Sequence, residues 1–407
     1  MKKTILCMMV LFSLCGCTDS SQPAVMTDST VSEHETAPPH TEAESSINSE
    51  AADSVSDETK INFLDYLNQQ NSIYSLREIS NEKAMIVKGS EAGYTAYMLN
   101  LKNGSETEQI LCDTAPACDA GGFWILKAGT NDSGMRINTE FALDGSKKYT
   151  EAIVYDYDMN KKHTWALPDG VSAESFDIET STLKIGYSES AQTADGAWVW
   201  SVKITEDDFH SARTVFEQPA NQAKSLGGLF RLGLFGDEVV FKGGYLKKQN
   251  MATEPAFGRM SVTDGIPEYA YRDDGYDYEV TYFDHGAFIF DTGYPYGVTP
   301  SGTCRRICDT KIDMLTLQNP MESIELYPSK SGDCFATVLR GSNEDGSDII
   351  RVTVYSAAGE ILKTFDQSFP ADGKYTLWKL YVFEESRTVY MHVAKSGTDT
   401  LWYSFSF

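Results

Sequence analysis

From about Ile61 onward, apolar residues fall in short runs with the two-residue alternation of half-buried strands, as in Trp200-Ser201-Val202-Lys203-Ile204 and Val352-Thr353-Val354-Tyr355. Turn signals separate the runs. Asp-Gly occurs at Asp144, Asp169, Asp195, Asp264, Asp274, Asp345 and Asp372, and Asn-Gly at Asn103. These dipeptides suit tight hairpins, because Gly, Asn and Asp tolerate the positive φ that such turns need. No amphipathic helix longer than three turns is evident. The pattern predicts an all-β fold.

A weak repeat organises the runs. Tyr97–Leu101, Val154–Tyr157, Trp200–Ile204, Met260–Val262, Arg306–Cys308, Val352–Tyr355 and Trp402–Phe405 are equivalent, with a mean spacing of about 51 residues. That is the length of a four-stranded blade. Seven copies predict one seven-bladed β-propeller over residues 61–407, with strands A to D running from axis to rim in each blade and the quoted runs as strand C. The sequence given ends just after the seventh run, so the seventh blade is expected to lack a fourth strand and to borrow one from the N-terminal side. Ile61–Leu67 is the expected donor, pairing beside Thr400–Phe407. Ile61, Leu64 and Leu67 also stand at near-helical spacing, so a short helix is the alternative.

In repeat length and strand pattern the chain resembles TolB-like and WD-repeat-like propellers. It has no Trp-Asp or Gly-His dipeptide, and no Ser-x-Asp-x-Gly-x-x-Trp box of the sialidase kind. Gly243-Gly244-Tyr245 is kelch-like in one blade alone. The aromatic end, Leu401 to Phe407, is similar to an outer-membrane barrel signal, but the turn-rich repeats and the N-terminus argue against a barrel.

That N-terminus carries Lys2 and Lys3, then an apolar run, Ile5–Leu14, too short to span a bilayer. Leu14-Cys15-Gly16-Cys17 resembles the lipobox of bacterial lipoproteins. The resemblance implies a signal peptide over residues 1–16, cleavage before Cys17 and acylation of Cys17. Several acyl chains, at about 0.8 kcal/mol per buried CH₂, make a stable anchor. The implied location is the bacterial cell envelope, lipid-anchored on the extracytoplasmic side of a membrane. Residues 17–60 are rich in Ser, Thr, Glu, Asp and Ala, with few large apolar side chains. Such a segment cannot offset its ordering entropy by burial, and is expected to be a disordered tether with an r.m.s. span of roughly 35 Å.

Charge narrows the partners. The formal net charge is −25, and from Lys60 onward 32 basic residues face 49 acidic ones. A surface this acidic repels phosphate backbones, so no nucleic-acid partner is expected. Five cysteines follow Cys17: Cys112, Cys118, Cys304, Cys308 and Cys334. Cys112 and Cys118 flank an expected loop and are close enough in sequence to bridge. Cys304 and Cys308 read as strand residues four apart, roughly 13 Å, beyond disulfide reach.

No nucleophile elbow, phosphate loop, cofactor motif or metal-ligand set is present. His163, His210, His285 and His392 are isolated in sequence and read as surface or strand residues. Asp156-Tyr157-Asp158-Met159-Asn160 begins like a calcium loop but lacks the Gly and Glu that complete one, and reads as a strand-end turn.

Loop lengths point to one face. The B–C and D–A loops share one end of a propeller, the A–B and C–D loops the other. The long connections are expected at Gly243–Gly258 (B–C of the fourth copy), Thr292–Thr303 (B–C of the fifth) and Arg272–Asp277 (D–A between them). They supply Tyr245, Lys247, Lys248, Asp274, Tyr276, Tyr294 and Tyr296 as candidate ligand-binding residues, tyrosine offering an apolar body with a polar tip. The expected function is a membrane-anchored binding or scaffold protein that recognises an envelope protein, peptide or glycan through this face. The alternative is an extracellular propeller hydrolase or lyase acting on glycans or peptides. Carboxylates or a His converging on the channel would mark the enzyme. An aromatic patch without them would mark the binder.

Overall fold

The seven quoted runs are the third strands of seven antiparallel sheets arranged in chain order. The computed structural model describes residues 61–129, 136–137, 148–168, 172–206, 209–249, 253–271, 278–291, 303–308, 311–316, 325–343, 345–370, 374–395 and 400–407. The segments expected to be a signal peptide (residues 1–16) and a tether (residues 17–60, with Cys17) lie outside these residues. Blade 1 comprises Ile73–Ser80, Lys83–Ser90, Gly93–Asn100 and Ile110–Cys112. Blade 2 comprises Ala117–Cys118, Phe123–Ala128, Tyr149–Tyr155 and Lys161–Ala166. Blade 3 comprises Ser172–Glu179, Lys184–Gln192, Trp198–Thr205 and Arg213–Pro219. Blade 4 follows with Ser225–Phe235, Glu238–Leu246, Glu254–Ser261 and Pro267–Tyr271. Blade 5 has Tyr278–Phe283, Gly286–Asp291, Thr303–Cys308 and Lys311–Thr316. Blade 6 has Leu326–Pro328, Cys334–Ser342, Asp348–Ser356 and Ile361–Ser368. Blade 7 has three strands among the described residues, Tyr375–Phe383, Thr388–Lys395 and Thr400–Ser406. The protein is a seven-bladed β-propeller.

Alternation within each strand sends one set of side chains to each neighbouring blade, and the core divides accordingly into seam clusters. Blades 6 and 7, for example, interdigitate Val338, Val352 and Val354 with Leu380, Val382 and Met391. Blades 5 and 6 meet through Phe288, Phe335 and Tyr355. Each fully buried Phe of this kind contributes roughly 1.5–3 kcal/mol. The seam between blades 7 and 1 closes the ring, with Tyr381, Phe383 and Trp402 against Leu76, Ile86 and Tyr97.

Residues Phe63–Gln69 form a helix, α1, where a donor strand was expected. Period explains the difference. A strand face carrying Phe63 and Leu67 would also bury Asp65. In the helix Phe63 and Leu67 share one buried face, and Asp65 stays exposed. Asn62 caps the first turn, its side-chain oxygen accepting from the Asp65 N–H at 3.4 Å. Phe63 packs edge-on to Tyr390 at 5.1 Å and beside Phe383 at 6.0 Å. The helix still protects the open edge of blade 7. The Asn68 carboxamide accepts from the Trp402 N–H at 3.0 Å and donates to the Trp402 carbonyl at 3.5 Å, the two bonds a neighbouring strand would make. Tyr66 extends the link to blade 1, with its hydroxyl 2.9 Å from that of Tyr97 and donating to Glu106 at 2.7 Å.

The glycines of the four described turn dipeptides, Gly104, Gly196, Gly265 and Gly346, all have positive φ, from 67° to 87°. Those at Asp144, Asp169, Asp274 and Asp372 lie outside the described residues. Gly265 has a second constraint, since a Cβ there would fall 1.9 Å from the Val215 carbonyl oxygen of blade 3. Cys112, Cys118 and Cys334 are free thiols, so the suggested Cys112–Cys118 bridge is not made. Cys112 bonds the Ile110 carbonyl at 3.5 Å, while Cys118 lies 3.8 Å from the Met85 sulfur. Cys304 and Cys308 belong to one strand, as expected. The longest B–C connection with a described part is that of blade 2. It contains Arg136–Ile137, which pairs in parallel with Ser172–Ala173 of blade 3.

Candidate functional site

Two regions of the channel gather unusual side chains, one at each end. At the A–B end, Arg77 of blade 1 donates to the Asp284 carboxylate of blade 5 and, at 3.0 Å, to the Asp119 carbonyl of blade 2. Tyr157 donates to that same carbonyl at 2.6 Å, and the Arg77 guanidinium lies 5.8 Å from the centre of its ring. Burial disfavours the guanidinium's charge, and Tyr157 and Asp284 more than restore it. The Asp119 carboxylate is saturated by the N–H groups of Gly121 (2.8 Å), Gly122 (3.2 Å) and Thr180 (2.6 Å) and by the Thr180 hydroxyl. The Asp119-Ala120-Gly121-Gly122 turn permits this, since a Cβ on Gly122 would come within 2.1 Å of the Tyr155 carbonyl oxygen.

A cavity of about 260 Å³ opens beside this cluster, lined by first strands of blades 1 to 5. Its wall carries Asp177, whose carboxylate accepts from the Leu234 N–H at 2.8 Å. Burial pushes the Asp177 pKa up to about 7. Three carboxylates therefore converge here from blades 2, 3 and 5, but Asp119 and Asp284 are spent on structural bonds. Cys118 also lines this cavity, and burial raises its thiol to about 11, away from the range of reactive cysteines.

At the B–C end, a groove of about 530 Å³ lies between blades 7, 1 and 2. Its aromatic walls are Tyr74 and Tyr94, edge-on at 4.8 Å, and Trp378, which is 61% exposed. Bulges account for two of the three. In the first strand of blade 1, Ile73 and Ser75 pair with the adjacent residues Lys88 and Val87, leaving Tyr74 as the extra residue. In blade 7, Leu377 and Lys379 pair with Val393 and His392, leaving Trp378. A bulge re-aims one side chain out of the alternation. Phe230 of blade 4 is presented in the same way, 52% exposed and lining the channel cavity. The Trp378 indole rests on the buried His392 ring, 5.6 Å away and 9° from parallel, and His392 rests on Trp402 at 4.1 Å and 5°. Burial lowers the His392 pKa to about 4, so the middle ring of this stack is neutral. The rim carries Ser72, Ser90, Glu91 and Asp113.

The residues expected from sequence divide between these observations and segments outside them. Asp274, Tyr276, Tyr294 and Tyr296 lie outside the described residues. Tyr245 sits in the second strand of blade 4, 8% exposed and stacked on Tyr271 at 3.8 Å, its ring committed to packing. Lys247 pairs with Glu254 at 3.6 Å, and Lys248 is exposed. The described loop after that strand is shorter than the expected Gly243–Gly258 span, because Gly243–Leu246 and Glu254–Gly258 are strand. The aromatic groove was missed. A signal for it exists: in Leu377-Trp378-Lys379-Leu380 and Ile73-Tyr74-Ser75-Leu76 the buried residues stand three apart instead of two, the trace a bulge leaves in a strand pattern. Asp156 to Asn160 is a turn between strands, with the Asp156 carboxylate accepting from the Asp158 and Asn160 N–H groups, both at 2.9 Å. Among the described residues, no group of three or more His, Cys, Asp or Glu side chains is arranged to hold a metal ion.

No protein-family model matches the sequence, and no curated protein does. Solved structures do resemble the fold. Pyrococcus horikoshii acylaminoacyl peptidase is 10% identical with a TM-score of 0.46, the match covering 84% of this chain and 52% of that one, so the chain spans about half its length. Oligogalacturonate lyase from Vibrio parahaemolyticus is 9% identical with a TM-score of 0.48, over 81% of this chain and 87% of the other. The β-propeller domain of the Trilobed protease from Pyrococcus furiosus is 11% identical with a TM-score of 0.33, over 82% and 80%. At such identities these are likenesses of fold alone.

Proposed function

We propose that this protein is a lipid-anchored binding protein of the bacterial envelope that recognises its ligand through the B–C end of the propeller. The observation that carries this reading is the groove between blades 7, 1 and 2. It holds an exposed tryptophan beside a half-buried tyrosine pair on a rigid sheet scaffold, and such aromatic surface is what binding sites retain. The lipobox-like Leu14-Cys15-Gly16-Cys17 supports anchoring at Cys17, and a polar tether would hold the propeller within reach of envelope partners at raised effective concentration. The likeness to TolB-like propellers rests on blade length and strand pattern. The ligand class on this reading is an envelope protein, peptide or glycan.

Two measurements test it. Metabolic labelling with a fatty-acid analogue should mark the wild-type chain and not Cys17→Ser, and an unlabelled wild type defeats the anchor. Crosslinking in intact cells from a photoreactive residue at position 92, on the groove's edge, should trap envelope material. Trp378→Ala should abolish that product while the fold, followed by circular dichroism, stays intact.

A second reading has its own observation. Asp177 is a carboxyl poised near neutrality in a channel cavity, as a general acid or base would be. On that reading the protein is a hydrolase or lyase, and purified chain should turn over glycans or peptides in an Asp177-dependent way.

A further inference from the structure

We infer that the groove at the B–C end takes a neutral carbohydrate chain, with a sugar ring lying flat on Trp378. This rests on the reading that ligand is bound through that end. The platform is preorganised. Trp378, His392 and Trp402 form three nearly parallel rings, so the exposed indole is supported from beneath and has little freedom to lose on binding. A pyranose presents an apolar C–H face and a girdle of hydroxyls. The first matches an indole face, and the second matches a rim of Ser90, Glu91 and Asp113.

Charge decides among ligand classes. Among the described residues lining the groove, none is Lys or Arg, whereas Glu91 and Asp113 are there. An acidic glycan would set its carboxylates against both Glu91 and Asp113, with the Lys379 ammonium, already held over the Tyr74 ring, as the nearby offset, at a net cost. A cationic ligand would favour both the carboxylates and the aromatic faces. Here, however, the Lys379 ammonium already lies 5.5 Å from the centre of the Tyr74 ring. It occupies one cation-binding ring of the groove and repels a second positive charge. An apolar peptide side chain would seek an enclosed pocket, and the widest aromatic surface on offer is instead an open plate. A neutral polyol ring suits all of these features.

The test uses full-length protein in detergent, titrated with cellotetraose, maltotetraose and N-acetylated chitotetraose as neutral probes. Trigalacturonate is the acidic probe and choline the cationic one. Calorimetry and tryptophan fluorescence are the readouts. At least one neutral tetrasaccharide should bind saturably and perturb the fluorescence. Trp378→Ala should weaken it by about tenfold or more, and Trp378→Phe by less, both without lowering the melting temperature. Tyr94→Ala should weaken it from the opposite wall. The proposal is overturned if trigalacturonate or choline binds more tightly than every neutral probe. It is equally overturned if no neutral probe saturates by about 10 mM, or if Trp378→Ala leaves sugar binding unchanged. The in-cell crosslink separates the two levels. A crosslink that depends on Trp378, with no sugar bound, rejects the carbohydrate and keeps the binding face. A crosslink indifferent to Trp378 rejects the face itself.

Discussion

The two ends of the channel are built from opposite materials. At the A–B end, polar groups from distant blades are consumed by one another. Arg77 joins blades 1, 2 and 5. Glu78 accepts from the N–H groups of Glu385 and Ser386 at 3.2 Å each, and Lys330 donates to the Ile79 carbonyl at 2.8 Å and to Glu385. At the B–C end, Trp378, Tyr74 and Tyr94 leave apolar surface in water with a polar rim around it. A polar group whose bonding capacity is filled by its own fold has a structural job. Aromatic surface held rigidly in solvent is unspent, and it is there that a ligand gains most. Convergence of charged residues on a channel is therefore a poor guide by itself. What matters is whether their partners are already present.

The comparison can be broken most forcefully at the A–B end. Arg77→Met leaves the Asp284 carboxylate, 10% exposed, without its cation and removes a donor from the Asp119 carbonyl. Orphaning one partner of a buried pair costs about 3–5 kcal/mol, so urea melts should show a loss of that size. Adding Asp284→Leu should recover part of it, since the orphaned charge goes too. A loss close to zero in the single variant would mean that Arg77 does not tie the blades. Sugar binding at the other end should survive wherever the variant is folded.

Ring closure comes next. Phe63, 7% exposed, holds α1 against Tyr390 and Phe383. Phe63→Ala should cost about 3 kcal/mol, and exchange of the Trp402 amide, bonded at 3.0 Å to Asn68, should accelerate. If Trp402 stays protected in this variant, the helix is not what covers the blade edge.

The repeat was legible because it is written in strand alternation, which depends on local sequence alone. All seven third strands fell where the apolar runs put them. The closing element was harder to read, because Ile61–Leu67 fits either period and the choice lies in whether Asp65 can stay wet, a tertiary matter. The candidate site was harder still. Tyrosines on long loops stood out by residue type, and Tyr245 among them proved to be packed on Tyr271. Trp378 and Tyr74 looked like ordinary strand residues, and their exposure follows from one-residue bulges in first strands. Arg77 and Asp284 are 207 residues apart, so nothing local could announce that they pair.

A third effect sharpens the contrast through pH. The folded protein keeps a proton on Asp177 up to about pH 7, whereas the unfolded chain releases it near the ordinary value of about 3.9. Between those values the folded state binds more protons. This carboxyl's contribution to stability is therefore full at low pH, declines as pH rises from about 4 to about 7, and changes no further above that. Asp177→Asn keeps an acceptor for the Leu234 N–H and removes the titration. The stability of wild type relative to this variant, from urea melts across pH 4 to 8, should fall through that window and level off. Trp378→Ala, at the other end, should retain the wild-type slope. A flat difference for Asp177→Asn would show that the carboxyl titrates normally. That would withdraw the observation favouring an enzyme in the channel, and the aromatic groove would stand as the candidate site.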